Sequence, residues 1–519
     1  MRPSIAAALL ALALPATGAA QSLTIGQANS FVSLDPHFYN AAADKVASIH
    51  LFDRLVDFDD NTKIKPALAV EWHAVQPTVW EFTLRPNVRW QDGTPFTADD
   101  VAFTIGRVPN IPNSPGGFDG FVKAITRVEV VNPLTVRFHT TEPFASLPID
   151  LGQIAIVSRH VGTGASSEDY NSGKAVMGTG PYRLVRYAIG DRLELERNDG
   201  WWGQKPDWQR VTYRVISSPG ARTAALLSGD VDLIDSVPIA NLAVVRRDAR
   251  FAVYSAPTLR TFDLRMNLAP ANPPYIADND GTPMERNPLR ALAVRRALTL
   301  AIDRQAISDR VMEGACTPTI QWLPPGSFAY APSLVPQYDA ARARALLAEA
   351  GLPEGFRMTL HAPSDRYPNG PSVAQAIAQM WTRVGIRTQV ETLPWTTFSS
   401  RLARREFAIS MGGLGVASGE PRYVLLNFLG TRDAAAGRGA SNHSGYSNPA
   451  LDRLVDAAGS EFDDAAREKL LVEATELGIN DAISITICQM VAFWAAKKDI
   501  TMTPRPDERT LAMGIHPRQ

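Results

Sequence analysis

Histidines are the side chains of this 519-residue chain best suited to metal binding or proton transfer, and they are scattered. The eight are His37, His50, His73, His139, His160, His361, His443 and His516. No two of them have the HExxH spacing that places two zinc ligands on one helical face. We therefore interpret them as solvated or structural residues, and we predict no metal site and no cofactor.

Sequence patterns of catalysis and phosphate binding are also missing. The chain has no GxSxG elbow, no GxxxxGK[ST] loop and no GxGxxG turn between a strand and a helix. The segment GTGPY, Gly178 to Tyr182, is predicted to be a tight bend, because its proline lacks a donor and it leads into a strand. Trp201-Trp202 is interpreted as a packing pair, with ligand stacking as the alternative. The sequence therefore predicts no catalytic residue and favours a binding protein over an enzyme.

Two cysteines, Cys316 and Cys488, are too few for a metal site built from thiols. In an oxidising compartment they could form a disulfide, and the distance between them in the fold decides whether they do. The alternative is two buried, unpaired thiols.

Composition indicates a large globular protein that does not bind nucleic acid. The chain is 45% hydrophobic and 20% charged, with 52 basic and 53 acidic residues and a formal net charge of −1. Such a balance creates no long-range field to attract DNA, RNA or an anionic membrane.

The N-terminus has the features of a secretory signal peptide. Arg2 is the charged region, Ile5 to Leu14 is a short apolar run, and Gly18 and Ala20 are small residues at a spacing that signal peptidase accepts. We predict a signal peptide over residues 1–20, with cleavage after Ala20. Since no cysteine directly follows the cleavage site, we expect no lipid anchor and export to a periplasm.

The predicted elements form two α/β lobes. A β-rich region covers about residues 63–138, and within it Thr97 and Asp100 predict a capped helix start. In the second half, strands alternate with helices, which predicts a mainly parallel sheet covered by helices. A cleft between two lobes is a preferred place for a ligand, and hinge closure can report its presence.

Several segments together resemble a known family. PALAVEW, Pro66 to Trp72, and WEFTLRPNVRWQDGTPFTADDV, Trp80 to Val101, are similar to the signature of the family 5 extracellular solute-binding proteins. GTGPYRLVRY, SGDVDLI, VRRALTLAIDRQAI, YDAARARALLAEAGL, VGIRTQVETLPWTTF and SNPALDRLVDAA follow in the family's order. These are the large binding proteins of ABC importers for dipeptides, oligopeptides, glutathione, nickel chelates, opines and some oligosaccharides.

The resemblance implies a large α/β fold like that of periplasmic binding proteins, with two α/β lobes joined by a hinge and a β-rich extra domain. Lobe I is discontinuous and comprises residues 21–52, 178–266 and 490–519. Lobe II is the β-rich insert, residues 53–177, and lobe III comprises residues 267–489. The ligand is expected between lobes I and III.

The resemblance also suggests ligand-binding residues. Trp395 is expected to be a stacking platform, with simple packing as the alternative, and Phe38 and Tyr39 correspond to pocket-rim residues of relatives. An alignment on Trp395 puts Ala417 where peptide-binding members carry the aspartate that holds a peptide's ammonium group. Because a buried ammonium without a carboxylate is costly, Glu420 is considered as a substitute. The expected set is Trp395, Gly413, Leu414, Gly415, Ala417, Ser418, Glu420, Phe38 and Tyr39.

The expected function is that of a monomeric periplasmic receptor that delivers a peptide or peptide-like solute to the membrane subunits of an ABC permease. Glutathione, an opine or an oligosaccharide are the alternative ligands. For glutathione, Arg401, Arg404 and Arg422 are candidate carboxylate partners, with a solvated helix face as the alternative. A secreted hydrolase, and a receptor or chaperone without transport, are the alternatives from other classes.

Overall fold

The computed structural model describes residues 21–271, 273–416 and 418–518. The predicted signal peptide, residues 1–20, and Ala417 lie outside these ranges. We keep the names lobe I, lobe II and lobe III for the predicted residue ranges. Among the helices of the described residues, none is both long enough and apolar enough to span a bilayer.

Strands and helices alternate along most of the described residues. The strands are β1 Ser22–Gln27, β2 Val56–Phe58, β3 Ile64–Pro66, β4 Ala69–Gln76, β5 Val79–Leu84, β6 Ile125–Asn132, β7 Thr135–Thr140, β8 Tyr182–Ala188, β9 Arg192–Arg197, β10 Arg210–Val215, β11 Leu233–Ile234, β12 Phe251–Met266, β13 Ile276–Ala277, β14 Cys316–Pro318, β15 Phe356–Pro363, β16 Ile386–Leu393, β17 Ile409–Gly415, β18 Ser484–Lys497, β19 Ile500–Met502 and β20 Ile515–Pro517. The helices are α1 Ala42–Leu51, α2 Ala98–Arg107, α3 Asp119–Val122, α4 Leu147–Leu151, α5 Arg159–Gly162, α6 Ser167–Asn171, α7 Pro219–Ser228, α8 Ile239–Arg247, α9 Leu292–Leu300, α10 Arg304–Arg310, α11 Ala340–Glu349, α12 Gly370–Arg383, α13 Trp395–Ala403, α14 Arg422–Val424, α15 Pro449–Ser460 and α16 Asp464–Asn480.

Lobes I and III share one large sheet. Its order is β13-β15-β17-β12-β18-β11-β1-β10-β9-β8, with β14 also paired to β18 and β16 to β15. The sheet is continuous because β12, with 16 residues at the end of the lobe I range, pairs antiparallel with β18, whose 14 residues run from lobe III into lobe I. At about 3.3 Å per residue, such strands are roughly 50 Å long.

The two long strands lose their regular register where they cross between the lobes. Pairing runs from Phe251 to Pro257, which faces Val491 of lobe I, and resumes at Thr261, which faces Gln489 of lobe III. A proline inside a strand cannot donate to the ladder, so Pro257 favours an interruption at this place. This interruption is where the backbone is best able to bend between the lobes.

The sheet is less parallel than the sequence suggests. β15 pairs in parallel with β16 and β17, and β1 pairs in parallel with β10 and β11. However, β12 runs antiparallel to β17, and β18 runs antiparallel to β11. The prediction of a mainly parallel sheet is therefore right for β15, β16 and β17 only.

Lobe II is a small α/β unit around a second sheet with the order β4-β5-β7-β6. Trp80, Phe82 and Leu84 of β5 are buried in its core, as their alternation predicts. The backbone N–H of Thr97 donates to Asp100 Oδ2 at 2.9 Å at the start of α2. This bond satisfies a free donor at the predicted helix start and confirms the cap.

The structure joins Cys316 and Cys488 in a disulfide. Their Cα atoms are 5.6 Å apart, which lies within the range usual for disulfides. Cys316 begins β14, and Cys488 lies in β18 close to the crossing between lobes. Of the two alternatives that the sequence left open, the paired one is therefore found.

Candidate functional site

In lobe III, the carboxyl ends of three parallel strands meet at one edge of the sheet. The segment 364–369 follows β15, Pro394 follows β16, and the segment 416–421 follows β17. In open α/β sheets, ligands bind in the crevice outside these strand ends. We therefore take this edge as one wall of the candidate site and call it the lobe III wall.

Tyr367 closes a gap in the sheet at the lobe III wall. β15 and β17 pair only through Leu360–Ile409 and His361–Ser410, so the outer edge of β17 is free beyond that point. The Tyr367 hydroxyl accepts the backbone N–H of Gly413 there at 2.8 Å. A Cβ on Gly413 would lie 2.6 Å from the Tyr367 ring, so this contact requires glycine.

Trp395 lies at the lobe III wall, and its predicted role as a stacking platform for a ligand stays a prediction. It is half-buried and begins α13, and its backbone N–H donates to Asp365 Oδ1 at 2.8 Å. Its ring stacks on Phe398 with centroids 5.9 Å apart. The guanidinium carbon of Arg366 lies 5.0 Å from the Trp395 ring centroid.

Arg366 supplies a positive charge beside Trp395 at the lobe III wall. The residue is exposed, and its guanidinium has no hydrogen-bonded acceptor among the described residues. A guanidinium can bind a carboxylate through two parallel hydrogen bonds, and the Trp395 ring holds it in place from one side. The wall is therefore suited to bind an anionic end of a ligand.

The expected residues of β17 have different environments. Leu414 is 5% exposed and packs in the lobe III core, whereas Gly415 is exposed. Gly413 accepts a hydrogen bond on its carbonyl from Arg265 Nη2 at 3.2 Å, in addition to its bond to Tyr367. The backbone of this strand, and not the Leu414 side chain, thus faces the lobe III wall.

Glu420, considered as a substitute carboxylate, is bound inside the protein. It is 4% exposed, and its two oxygens accept hydrogen bonds from Arg467 Nη1 at 2.5 Å and from Ser146 Oγ at 3.0 Å. Ser418 Oγ donates to the Glu420 carbonyl at 3.4 Å. Ala417, at the position of the family's aspartate, lies outside the described residues. The structure therefore places the Glu420 carboxylate on partners in lobes II and III.

Asp150, a neighbour of Glu420 at the same contact between lobes II and III, has a raised pKa. Burial, with the neighbouring negative charge of Glu420, raises the pKa of Asp150 from its usual 3.8 to about 8. Because the folded protein holds this proton more tightly than the unfolded chain, the unfolding free energy falls as the pH rises from about 4 through 8. Burial also raises the pKa values of Asp53 and Asp235 to about 6. Ionisation of these two groups therefore also lowers the unfolding free energy as the pH rises, but at lower pH than Asp150.

Asp150→Asn is expected to remove most of the stability loss between pH 6 and pH 8. The asparagine does not ionise, so the variant has no charge to bury in this range. Denaturant midpoints of both proteins at pH 6, 7 and 8 measure the effect. Parallel pH dependences of variant and wild type would contradict this assignment.

Lobe I presents a similar edge. β10, β1 and β11 are parallel neighbours, so the segments after them also meet at one edge. Arg222, which is 2% exposed, donates to the carbonyls of Ile216 at 2.7 Å and Ser236 at 2.8 Å. Asp235 Oδ1 accepts the backbone N–H of Ala28 at 2.8 Å. These bonds fix the segments after all three strands, which we call the lobe I wall.

Phe38 and Tyr39 lie on the loop after β1 and contact lobe II. Both are half-buried. The Phe38 carbonyl accepts Ser114 Oγ at 2.6 Å, and Tyr39 forms an isolated bridge with Gly116. The loop is further fixed by a two-bond ion pair between Asp35 and Arg107, at 2.7 and 2.9 Å. The role of Phe38 and Tyr39 at a pocket rim stays a prediction.

Sequence reasoning missed Arg366, Tyr367 and Arg222. The signal for Arg366 and Tyr367 was their position directly after a strand of the parallel set, within the segment SDRYPN. The three arginines that the sequence suggested as partners for a ligand carboxylate have neighbours within the protein. Arg401 and Arg404 pair with Glu406, and Arg422 is close to Glu420 and Asp150.

Comparison with known proteins gives consistent results. A family model described as bacterial extracellular solute-binding proteins, family 5, middle region, matches residues 63–436. The dipeptide-binding protein of Escherichia coli K12 is 26% identical, with 95% of this chain and 94% of the relative aligned. The glutathione-binding protein GsiB of Salmonella paratyphi A is 26% identical over 88% of this chain and 87% of the relative. Among solved structures, HbpA2 of Haemophilus parasuis has a TM-score of 0.83 at 23% identity, with 96% of this chain and 100% of that chain covered.

Proposed function

Because this chain belongs to the bacterial extracellular solute-binding proteins of family 5, we propose that it captures a peptide or peptide-like solute between lobes I and III. It then delivers the solute to the membrane subunits of an ABC permease. The predicted signal peptide supports a place in the periplasm, and we propose a monomer with no catalytic role.

The pairing of Arg366 with Trp395 carries this proposal. An exposed guanidinium held over an indole ring at the carboxyl ends of three strands is suited to bind the free carboxylate of a solute. Similarity to a dipeptide-binding protein and to a glutathione-binding protein supports it, because both of those ligands carry free carboxylates. We propose that the solute is a peptide-like compound with a free carboxyl end.

The ammonium group of such a solute contributes less. Glu420 is bonded to Arg467 and Ser146, and Asp365 Oδ1 accepts the Trp395 N–H. Because the Glu420 carboxylate is engaged within the protein, we expect amidation of the solute's carboxyl end to weaken binding more than acetylation of its amino end.

Closure of the cleft is part of the proposed function. The lobe III wall is open to solvent at Arg366, which supports an arrangement with the lobes apart. A ligand shifts the population to a closed state only if it contacts both walls in that state. The bend occurs where β12 and β18 lose their register, between Pro257 and Thr261.

A thermal-shift panel tests the ligand class. It contains di- and tripeptides as free acids, their C-amides and N-acetyl forms, glutathione, opines and neutral oligosaccharides. A ligand at a hundred times its Kd adds about 2.7 kcal/mol to the unfolding free energy. We expect free acids and N-acetyl peptides to raise the Tm and C-amides to leave it unchanged. A response to neutral oligosaccharides alone would contradict the proposal.

A further inference from the structure

A second cavity, of about 510 Å³, lies between lobe II and the C-terminal segment of lobe I. The end of α1, the β2–β3 hairpin, the segment 201–204 and the segment 502–516 form it. Neither Arg366 nor Trp395 lines it, and no other described residue of lobe III does. The cavity is therefore separate from the lobe III wall, and its volume is typical of a small-molecule site.

Arg54 lines this cavity and forms only a long ion pair. Its side chain is 5% exposed, and the nearest carboxylate oxygen, Asp57 Oδ1, is 3.9 Å away, beyond hydrogen-bond distance. No acceptor among the described residues bonds its guanidinium. Burial lowers the pKa of Arg54 to about 10. The negative charges of Asp57, Asp53 and Asp507 raise this pKa, but none of these carboxylates accepts a hydrogen bond from Arg54. The donors of the guanidinium are therefore left for a ligand.

Arg509 adds a second cation with little compensation. Its side chain is 9% exposed, and its one carboxylate neighbour is Asp507, at 3.4 Å. That carboxylate is shared with Arg505, whose Nη2 donates to it at 2.8 Å. Arg505 also donates to Asp60 at 2.8 Å, so it is fully engaged and Arg509 is not.

A third cation shows that these charges lie near one another. Burial lowers the pKa of Lys45 well below its usual value, and the positive charges of Arg509 and Arg54 lower it further. The negative charge of Asp507 acts on the same pKa in the opposite direction, and Arg54 and Arg509 both line the cavity. This group of cations is therefore suited to attract an anion.

The remaining lining of the cavity is mostly apolar. It includes Ile49, Phe52, Phe58, Met502, Leu511 and Met513. The indole N–H of Trp202 donates to Asp53 Oδ2 at 2.8 Å, and that of Trp201 lies 3.3 Å from the same atom. Both indole donors thus point to Asp53. The cavity is also lined by Asp57 and Asp60, which form ion pairs with Lys65 and Arg505, so the donors left for a ligand are chiefly those of Arg54 and Arg509.

We propose that this cavity is a second binding site, which takes a small organic carboxylate. Its anionic group lies against Arg54 and Arg509, and its apolar body packs on the side chains that line the cavity. The site is distinct from the cleft between lobes I and III, so the two sites can be occupied independently.

Thermal unfolding with benzoate, and with benzamide as the neutral analogue, tests the proposal at constant ionic strength. We expect benzoate to raise the Tm in a saturable manner and benzamide to leave it unchanged. Arg54→Met should abolish the benzoate effect and raise the Tm of the free protein, because it removes a buried charge that makes no hydrogen bond. Arg366→Ala, in the cleft, should retain the benzoate effect.

Two further variants complete the experiment. Arg509→Met should weaken benzoate binding at least tenfold by calorimetry. Arg222→Met is the matched control, because this equally buried arginine donates to several carbonyls and its loss should lower the Tm. A lower Tm of free Arg54→Met, or equal benzoate binding by wild type and both cavity variants, would overturn the proposal. So would a response to inorganic phosphate and to no organic carboxylate.

Discussion

Arg366→Ala is expected to weaken binding of a free-acid peptide by about 30- to 1000-fold, or about 2–4 kcal/mol. The guanidinium is exposed and held 5.0 Å from the Trp395 ring centroid, with no acceptor among the described residues. Its loss leaves the solute's carboxylate without a charged partner at the lobe III wall. Isothermal titration calorimetry with the peptide of largest Tm shift measures the change.

Arg387→Ala is the matched control for this variant. Arg387 is also exposed and lies in lobe III, but at the opposite end of β16 from Trp395. We expect its Kd to stay within about twofold of the wild-type value. The unfolding midpoint of Arg366→Ala should be unchanged, because surface substitutions without partners have small effects on stability. Equal affinities of Arg366→Ala and Arg387→Ala would contradict the role of Arg366.

Removal of the disulfide should lower stability by about 2–5 kcal/mol. Cys316 and Cys488 are 172 residues apart, so the bond closes a long loop of the unfolded chain. It also fixes β14 to β18 close to the crossing between lobes. We expect Cys316→Ala/Cys488→Ala to melt several degrees below the oxidised wild type.

Reduction provides an independent arm of the same experiment. A phosphine reductant should lower the Tm of the wild type to about that of the double variant and leave the variant unchanged. Peptide affinity at low temperature should be similar in both proteins, since neither cysteine lies at the walls of the cleft. An identical Tm of the oxidised wild type and the double variant would refute a stabilising role.

Short-range sequence patterns predicted much of the fold. The alternation of Trp80, Phe82 and Leu84 and the cap formed by Thr97 and Asp100 are short-range features, and the structure has both. The strand–helix alternation after β15 likewise predicted the parallel group that forms the lobe III wall. The mixed character of the sheet did not follow from local patterns, because it depends on β12 and β18 pairing across more than 200 residues.

The binding site was harder to predict, since its chemistry depends on which groups are already engaged. Glu420 looked available in the sequence, but the fold places its carboxylate between Arg467 and Ser146. Arg366 was overlooked, although its position after β15 is what places it over Trp395. Arg54 could not be found at all from the sequence, because a guanidinium without hydrogen-bonded acceptors is recognised only when its surroundings are known.

Small-angle X-ray scattering of the mature protein tests the central claim most directly. The radius of gyration is measured without ligand and with a saturating free-acid peptide, with its C-amide as control. We expect the free acid to reduce the radius of gyration, as the lobe I and lobe III walls close on the solute, and the amide to leave it unchanged. Saturable binding of the free acid by calorimetry without any decrease would contradict capture between lobes I and III.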